Sequence, residues 1–264
     1  MIRLIATDLD NTLLDREGRI PEHTAALLHR AAAGGVLTAV ATGRCFPSAL
    51  EAARTIGART PVICYNGSRI RWGDTGEILY RADIPPEVIR QVAAFCREEG
   101  LYLQCYDEDD VILCERDCPG LRVDPDVATV GFREIGDYRT CSALPATPKM
   151  LIVEQPERVA ARLAQLEETF SGLSFCQSQP WLIEVMPREA DKGKALARLA
   201  GLVGIRQEEV LALGDNTNDL PMIRWAGIGV VVANGAAAAK AEADYVCGQE
   251  RSLGVEEALR RFVL

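Results

Sequence analysis

The feature that most constrains the fold is the alternation of short apolar runs with amphipathic segments in the two terminal parts of the chain. The apolar runs of strand length cover residues 2–7, 36–41, 61–64, 210–214 and 228–232. The helical patterns cover residues 22–34, 46–56, 192–203, 217–225 and 254–263. Strands that are apolar throughout and alternate with helices are typical of parallel sheets that are covered on both faces. These parts predict an α/β core with a Rossmann-like, doubly wound, mainly parallel sheet.

The middle of the chain, residues 83–188, has a different pattern, in which pairs of strand-like runs are separated by helices. The expected strands lie near 101–106, 110–114, 149–154, 173–177 and 181–186, and the expected helices at 86–99 and 156–169. This order indicates an α+β domain whose antiparallel sheet is covered on one face. We therefore expect residues 1–82 and 189–264 to form the core, which is split in sequence by the inserted domain.

Composition limits the possible partners and compartments. The chain has 264 residues, a net charge of −9 and a pI near 4.9, whereas non-specific binding to nucleic acid or to an anionic membrane requires a basic face. We find no basic-then-apolar signal segment, and no apolar run approaches the roughly 18 residues of a membrane span. Nine scattered cysteines without a Cys-x-x-Cys spacing suit a reducing environment. We expect a cytoplasmic protein with neither nucleic acid nor membrane as a partner, and the sequence does not define its oligomeric state.

Polar residues follow four apolar runs of the core, at the carboxyl end of each run. These polar segments are Asp8–Thr12, Thr42–Arg44, Tyr65–Gly67 and Asp215–Asp219. In open α/β sheets, ligands bind beyond the carboxyl ends of the strands. The convergence of the four segments predicts a functional site at this edge of the sheet.

Two acidic residues, Asp8 and Asp10, lie directly after the first strand, where like charges repel each other and resist desolvation. A divalent cation would satisfy them. Carboxylate and carbonyl oxygens from Asp8, Asp10 and Asp215 would suit Mg²⁺, which keeps several waters and joins a phosphate. Zinc is disfavoured, because the only histidines, His23 and His29, share one helical segment and are not at a ligand spacing.

The Asp-x-Asp pattern also occurs at Asp107/Asp109 and at Asp124/Asp126. Both pairs lie in polar, turn-rich stretches, where aspartate is favoured for its local hydrogen bonds. We expect solvated loops at both places.

Groups that could bind a phosphate follow other strands of the core. Thr42 offers a hydroxyl, Gly43 leaves room for backbone N–H groups to approach an anion, and Lys192 opens a helix. Each alone is typical of an ordinary turn or a solvent-facing lysine. Together with a carboxylate nucleophile and a cation, they describe a phosphoryl-transfer site.

Four motifs resemble those of the haloacid dehalogenase (HAD) superfamily, and their order and spacing match over nearly the whole chain. DLDNTLL is similar to the first motif, DxDxT; TGR is similar to the second, Lys192 in DKGKAL to the third, and GDNTND to the fourth. The insert between the second and third motifs, together with YNG at 65–67, resembles the Cof-type phosphatases of subfamily IIB, which carry a C2B cap. The resemblance implies a HAD-like core with an inserted α+β cap domain.

The resemblance also implies a role for each matching residue. Asp8 would attack phosphorus and become an aspartyl phosphate, while Asp10 would protonate the leaving oxygen and then activate water. The other implied roles are phosphate binding by Thr42, Gly43, Lys192 and Asn218; Mg²⁺ binding by Asp8, the Asp10 carbonyl and Asp215; support of the metal site by Asp219; and a substrate path along Arg44, Asn66 and Gly67.

The function implied is a Mg²⁺-dependent phosphatase that hydrolyses small phosphorylated metabolites, such as sugar phosphates, through an aspartyl-phosphate intermediate, with the cap selecting the leaving group. A phosphomutase would use the same motifs, and a requirement for a bisphosphorylated activator would distinguish it. A receiver-like domain also carries acids, threonine and lysine at strand ends. Its phosphoacceptor typically lacks an acid two residues on, and such a domain would be about half this length, so it suits the sequence less well.

Overall fold

The structure, a computed structural model, describes residues 1–57, 59–124 and 126–264, which form two compact units. The first unit, the core, comprises residues 1–43, 49–80 and 191–264, and the second unit, the insert, comprises residues 44–48 and 81–190. The insert therefore includes a short segment just after the second strand of the core.

The first part of the chain alternates strands with helices and ends in two further strands. Its elements are β1 (Leu4–Thr7), α1 (Glu22–Ala33), β2 (Leu37–Ala41), α2 (Phe46–Ile56), β3 (Pro61–Cys64), β4 (Arg69–Trp72) and β5 (Ile78–Arg81). Helix α1 ends at Ala33 and is capped by Gly34, whose amide donates to carbonyls of the last turn. Gly35 follows with a φ of 86°, a conformation that glycine adopts without a steric penalty.

The described residues in the middle of the chain form six strands and three helices. Its elements are α3 (Pro86–Glu98), β6 (Tyr102–Tyr106), β7 (Ile112–Cys114), α4 (Val127–Val130), β8 (Phe132–Glu134), β9 (Met150–Val153), α5 (Val159–Thr169), β10 (Leu173–Gln179) and β11 (Leu182–Pro187).

The last part returns to the alternation of helices and strands. Its elements are α6 (Lys192–Leu202), β12 (Val210–Gly214), α7 (Leu220–Trp225), β13 (Ile228–Val231), α8 (Ala237–Lys240), β14 (Tyr245–Val246) and α9 (Arg251–Phe262).

The core is built on an eight-stranded sheet in the order β14-β13-β12-β1-β2-β3-β4-β5. The strands from β14 to β3 pair in parallel, and β4 pairs antiparallel with β3. The predicted α/β fold class with a mainly parallel sheet is confirmed. Strand β1 lies in the middle, between β12 and β2, so its carboxyl end is flanked by the carboxyl ends of both neighbours.

One apolar layer of the core covers a face of this sheet. Leu4 and Ala6 are two residues apart in β1 and therefore lie on the same face of the strand. They pack with Leu196 and Leu199 of α6 and with Met222 of α7. Each of these side chains is buried. The layer fixes the start of α6 relative to the strand ends, and Lys192 is the first residue of that helix.

The insert is built on a six-stranded sheet in the order β10-β11-β9-β6-β7-β8. All of its pairings are antiparallel except that of β7 with β8. Its apolar cluster joins α3 and α5 to one face of the sheet, through residues such as Leu103, Cys105 and Val185. Gln104, Leu151 and Glu184 are in register across β6, β9 and β11 and therefore share the opposite face.

The strands that the sequence did not predict lie at the sheet edges or next to them. Strands β4, β5, β8 and β14 were not predicted, because each is only two to four residues long and none of them is buried along its whole length. Short edge strands lack the continuous apolar run that identifies a central strand. Over the described residues, no helix is both long and apolar enough to cross a membrane.

Candidate active site

The polar segments predicted at the strand ends do converge around the end of β1. Thr7, the last residue of β1, is in register with Leu213 of β12 and with Val40 of β2. The amide of Asp8 continues the ladder by donating to the Leu213 carbonyl (2.9 Å). Asp8 and the segment after β12 are therefore neighbours because parallel pairing places them side by side.

A buried group of carboxylates lies at this point. Carboxylate oxygens of Asp8, Asp215 and Asp219 all lie within 4.8 Å of one another. The Lys192 ammonium bridges two of them, donating to Asp8 Oδ1 (2.7 Å) and to Asp219 Oδ1 (2.6 Å), and its side chain is 0% exposed. One fixed cation thus faces three acids, and the group retains an excess of negative charge.

The start of α6 explains how a lysine reaches this depth. Asp191 caps the helix, accepting a bond from the Lys194 amide (2.7 Å). At Gly193 a Cβ atom would lie 2.3 Å from the Pro221 carbonyl oxygen, so only glycine lets α6 approach α7 this closely. The close approach carries Lys192 to the carboxylates.

Asp219 is held by several donors. Its Oδ2 accepts the amides of Asp215 (2.9 Å) and Asn216 (3.0 Å), while its Oδ1 accepts Lys192. Gly214 leaves the necessary space, because a Cβ there would lie 2.5 Å from the Asp219 Cβ. With both oxygens engaged, Asp219 is suited to orient Lys192 and the segment that carries Asp215.

Burial and mutual repulsion shift the pKa values of this group. Burial raises the pKa of Asp8 well above its usual value, opposed by Lys192 and reinforced by the neighbouring aspartates. Burial, and next Asp219, raise the pKa of Asp215 to about 6. Burial alone would lower the pKa of Lys192, but Asp219 and Asp8 outweigh it and raise it, so the lysine is charged. Clustered carboxylates that resist ionisation are a chemically suitable donor set for a hard divalent cation.

Thr12 takes part in the group through a contact that sequence reasoning missed. Its hydroxyl donates to Asp215 Oδ1 (3.1 Å) across 203 residues of sequence, and Thr12 is fully buried. The signal was present, since Thr12 is the threonine of the first motif. The bond orients the carboxylate that the sequence predicts as a metal ligand.

The loop after β1 separates the two acids of the first motif. Leu9–Leu13 forms a π-type turn closed by the Leu14 amide, which donates to the Leu9 carbonyl (2.9 Å). Asn11 within it has a φ of 60°, a left-handed conformation that asparagine tolerates better than most residues. As a result Asp8 is buried and Asp10 is exposed. The Asp10 carboxylate is outside the group of three, and the predicted metal ligand at this residue is its carbonyl.

The other predicted residues of the core lie on the neighbouring strand ends. Thr42 is buried, its amide donating to the Ile63 carbonyl (2.8 Å) and its carbonyl accepting the Asn66 amide (3.0 Å). Gly43 follows it, half-buried. The segments after β2 and β3 are therefore tied together. Arg44 is half-buried and belongs to the insert.

Asn66 and Gly67 are buried in a short turn after β3, with φ values of 52° and 105°. At Gly67 a Cβ atom would lie 2.3 Å from the Asp191 carbonyl oxygen, so the turn packs directly on the start of α6. Asn218 donates from Nδ2 to Asn66 Oδ1 (3.2 Å). Asn218 thus joins the segment after β12 to the segment after β3.

The prediction of solvated loops at the other Asp-x-Asp pairs is wrong for three of the four residues. Asp109 is exposed, but Asp107 is buried, accepting the Val111 amide (2.9 Å) and pairing with Arg133 (2.7 Å). Asp124 and Asp126 are each 3% exposed.

The burial of the second pair has identifiable partners within the insert. Gln104 and the Tyr106 hydroxyl donate to Asp124, and the Cys45 amide donates to Asp126 Oδ2 (2.9 Å). These donors come from distant parts of the sequence, so a local pattern could not reveal them. All of them belong to the insert.

The comparisons with known proteins agree with the fold and the motifs. Residues 5–259 match the model of a family described as haloacid dehalogenase-like hydrolase. The chain is 29% identical to YxeH of Bacillus subtilis (strain 168), which is named a phosphatase only provisionally, over 100% of this chain and 99% of that protein. It is 31% identical to an HMP-PP phosphatase of Cronobacter sakazakii (strain ATCC BAA-894), over 89% and 85% of the two chains. The solved structure of the HAD subclass IIB sugar phosphatase BT4131 matches with a TM-score of 0.81 and 26% identity, covering 98% of each chain.

The chain belongs to the haloacid dehalogenase-like hydrolases, as its four motifs predict. Within that family it is a phosphatase, a phosphoric monoester hydrolase, which confirms the predicted enzyme class.

The raised pKa of Asp215 predicts a stability effect that depends on pH. A carboxyl whose pKa is about 6 when folded and 3.8 when unfolded binds more protons in the folded state, so stability falls as pH rises between these values. At pH 7.5 the metal-free Asp215→Asn variant, which keeps an acceptor for Thr12, should be more stable by about 3 kcal/mol. Mg²⁺ should raise the melting temperature of the wild type at pH 7.5, raise it less at pH 5, and leave the variant nearly unchanged. Scanning fluorimetry measures these melting temperatures. A wild-type melting temperature that does not change when Mg²⁺ is added would contradict the prediction.

Proposed function

We propose that this chain is a Mg²⁺-dependent phosphatase that hydrolyses small phosphorylated metabolites through an aspartyl phosphate on Asp8. The observation that carries the proposal is the buried Lys192 ammonium, which contacts both Asp8 and Asp219 at the carboxyl ends of parallel strands. A purely structural lysine would not require a third carboxylate, Asp215, within 4.8 Å of its two partners. The excess of acid over base at a buried position suits a site that binds a divalent cation together with a phosphate.

The proposed roles separate the two acids by their burial. A carboxylate oxygen of Asp8 attacks phosphorus, the bond from phosphorus to the leaving oxygen breaks, and Asp10 gives its proton to that oxygen. In the second step Asp10 takes a proton from water, and the water oxygen attacks the phosphorus of the Asp8 phosphate, releasing inorganic phosphate and restoring Asp8. The exposed position of Asp10 suits proton exchange, whereas the buried position of Asp8 excludes competing solvent.

Further residues of the core would bind the phosphoryl group and the metal. Lys192 and the Thr42 segment would hold phosphoryl oxygens, with Gly43 admitting backbone amides. Asp8, Asp215 and the Asp10 carbonyl would bind Mg²⁺, which supplies charge neutralisation as the phosphoryl group is transferred. Asp219 would orient Lys192, because its own oxygens already accept three bonds.

The remaining predicted residues would order the surroundings of the substrate. Asn218, which donates a hydrogen bond to Asn66, would help to bind the phosphate, and Asn66 and Gly67 would line the substrate path. Arg44, which directly follows Gly43 in the sequence, would belong to the same substrate path. We also propose a cytoplasmic location, where the nine cysteines, which are free thiols in the structure, would stay reduced.

The substrate class rests on the chemistry of the site and on the relatives. Relatives are named for HMP-PP and for sugar phosphates, both small phosphorylated molecules. We therefore propose a small phosphomonoester, with a sugar phosphate as the first compound to test. Turnover of a panel of phosphorylated metabolites by the purified full chain with Mg²⁺ would identify it, and absence of phosphate release from every member would contradict the proposal.

Metal dependence provides a separate test. Excess chelator should abolish turnover, because the carboxylates that surround the phosphoryl site would then repel both one another and the phosphate. Added Mg²⁺ should restore turnover. Phosphate release at the full rate in chelator, or restoration by Zn²⁺ alone, would exclude the assignment.

A further inference from the structure

The segment after β13, Ala233–Ala236, contacts both of the loops that carry the acids of the site. The Ala236 amide donates to the Asp215 carbonyl (2.7 Å). Two residues earlier in the sequence, Asn234 Nδ2 donates to the Asn11 carbonyl (2.8 Å). This segment, hereafter the 233–236 loop, therefore joins the segment after β12 to the turn after β1.

The Asn11 contact falls at the conformationally demanding point of that turn. Asn11 follows Asp10 directly and holds a φ of 60°, and Asp10 itself has an extended backbone, with a φ of −70° and a ψ of 127°. A left-handed residue costs free energy unless its surroundings stabilise it. Because Asn11 sets the direction of the chain immediately after Asp10, a donor that fixes the Asn11 carbonyl also fixes the backbone from which the Asp10 side chain projects.

The side-chain oxygen of Asn234 also forms a hydrogen bond, which fixes the orientation of its amide group. Its Oδ1 accepts the Arg251 amide (2.8 Å), and Arg251 has a φ of 51° at the start of α9. The 233–236 loop is further held by Lys240 Nζ, which donates to the Ala233 carbonyl (2.6 Å). At Gly235 a Cβ atom would lie 2.4 Å from Val231 Cγ1, so the loop packs tightly on β13. The amide of Asn234 is thus presented from a rigid base.

We propose that Asn234 is the positioning residue for Asp10, acting through the Asn11 carbonyl. The inference rests on the proposed function, in which Asp10 moves protons to and from oxygen. An exposed acid can serve as a general acid only when it is within hydrogen-bond reach of the leaving oxygen. Asn234 restricts the turn so that Asp10 meets this requirement.

Two variants and two substrates test this role. Asn234→Asp keeps the acceptor for the Arg251 amide and loses the donor to Asn11, and Asn234→Ala loses both without adding a charge. Protonation by Asp10 matters for phenyl phosphate, a poor leaving group, and much less for p-nitrophenyl phosphate. Both variants should lose about 10- to 100-fold in kcat/KM for phenyl phosphate, the scale of a misplaced catalytic group, and much less for p-nitrophenyl phosphate. Mass spectrometry should also find more phosphate retained on Asp8 during turnover.

The chain offers a matched control of the same chemistry. Gln207 Nε2 donates to the Trp225 carbonyl (2.6 Å) at an exposed place in the core. Gln207→Glu makes the same amide-to-acid change there and should leave the ratio of the two kcat/KM values unchanged. Equal losses for both esters in the Asn234 variants, or no loss, would overturn the positioning role.

The Asp10→Asn variant, measured in the same assays, distinguishes failure of the acid role of Asp10 from failure of the positioning role of Asn234. If Asp10→Asn loses more kcat/KM for phenyl phosphate than for p-nitrophenyl phosphate, and the Asn234 variants do not, only the role of Asn234 is overturned. If Asp10→Asn loses equally for the two esters, the role of Asp10 as a general acid is overturned, and this inference is overturned with it.

Discussion

Asp8→Asn is expected to reduce turnover to background, whereas Asp10→Asn is expected to slow it by about 10²–10⁴-fold in each step that needs proton transfer. Asparagine at position 8 can still accept the Lys192 bond but cannot attack phosphorus, so no phosphoenzyme can form. Asparagine at position 10 leaves the nucleophile intact and removes only the proton carrier. The two acids therefore predict different kinetic defects, although they are two residues apart.

The difference is measurable with an ester whose leaving group needs little protonation. With p-nitrophenyl phosphate, the first step of Asp10→Asn is partly spared and the second is slow, so phosphate should accumulate on Asp8. Rapid quench followed by mass spectrometry detects it. Phosphate on another residue, or on Asp8 in neither the wild type nor Asp10→Asn, would contradict the assignment.

A matched control separates these defects from the general effect of removing an acid. Asp74 is exposed in the core and forms a weak ion pair with Arg59 (3.6 Å). Asp74→Asn should turn over at the wild-type rate, because a solvated pair of this kind contributes little. A comparable loss in Asp74→Asn would mean that the defects arise from changes in folding.

Sequence reasoning succeeded where local pattern and sheet topology act together. Each apolar run of the core identified a strand, and parallel pairing then required Asp8 and the segment after β12 to be neighbours. The structure brings Asp8, Asp215 and Asp219 together as this topology requires. No contact between distant residues had to be known in advance, because the edge of the sheet collects the strand ends.

Contacts between side chains from distant segments were beyond the reach of sequence reasoning. Lys192 was expected to bind phosphate, and its hydrogen bond to Asp8, across 184 residues, appears only in the folded chain. Asn234 gave no signal, since an asparagine before glycine is typical of an ordinary turn. Asp124 was expected in solvent for the same reason, although Gln104 and Tyr106 on a neighbouring strand satisfy it.

The second large effect is expected on stability. Lys192→Met should lower the free energy of unfolding by about 3–5 kcal/mol at pH 7.5, since removing one partner of a buried ion pair leaves uncompensated charge. Methionine fills a similar volume, so the loss would arise from Asp8 and Asp219 rather than from a cavity. Urea denaturation in the presence of chelator measures the difference. Lys194→Met, at an exposed ion pair of the same helix, should change stability by at most about 1 kcal/mol.

The pH dependence of this loss distinguishes electrostatics from packing. Without Lys192, the pKa of Asp8, already raised by burial, should rise further, because the lysine is the group that opposes the rise. A carboxyl whose pKa is raised by folding binds more protons when folded, so the protein gains stability as pH falls through that pKa. The deficit of Lys192→Met should therefore shrink between pH 7.5 and pH 5, while that of a variant with a packing defect stays constant. A deficit equal at both pH values would show that Lys192 stabilises the core mainly through its aliphatic stem, and that charge neutralisation at Asp8 and Asp219 contributes little.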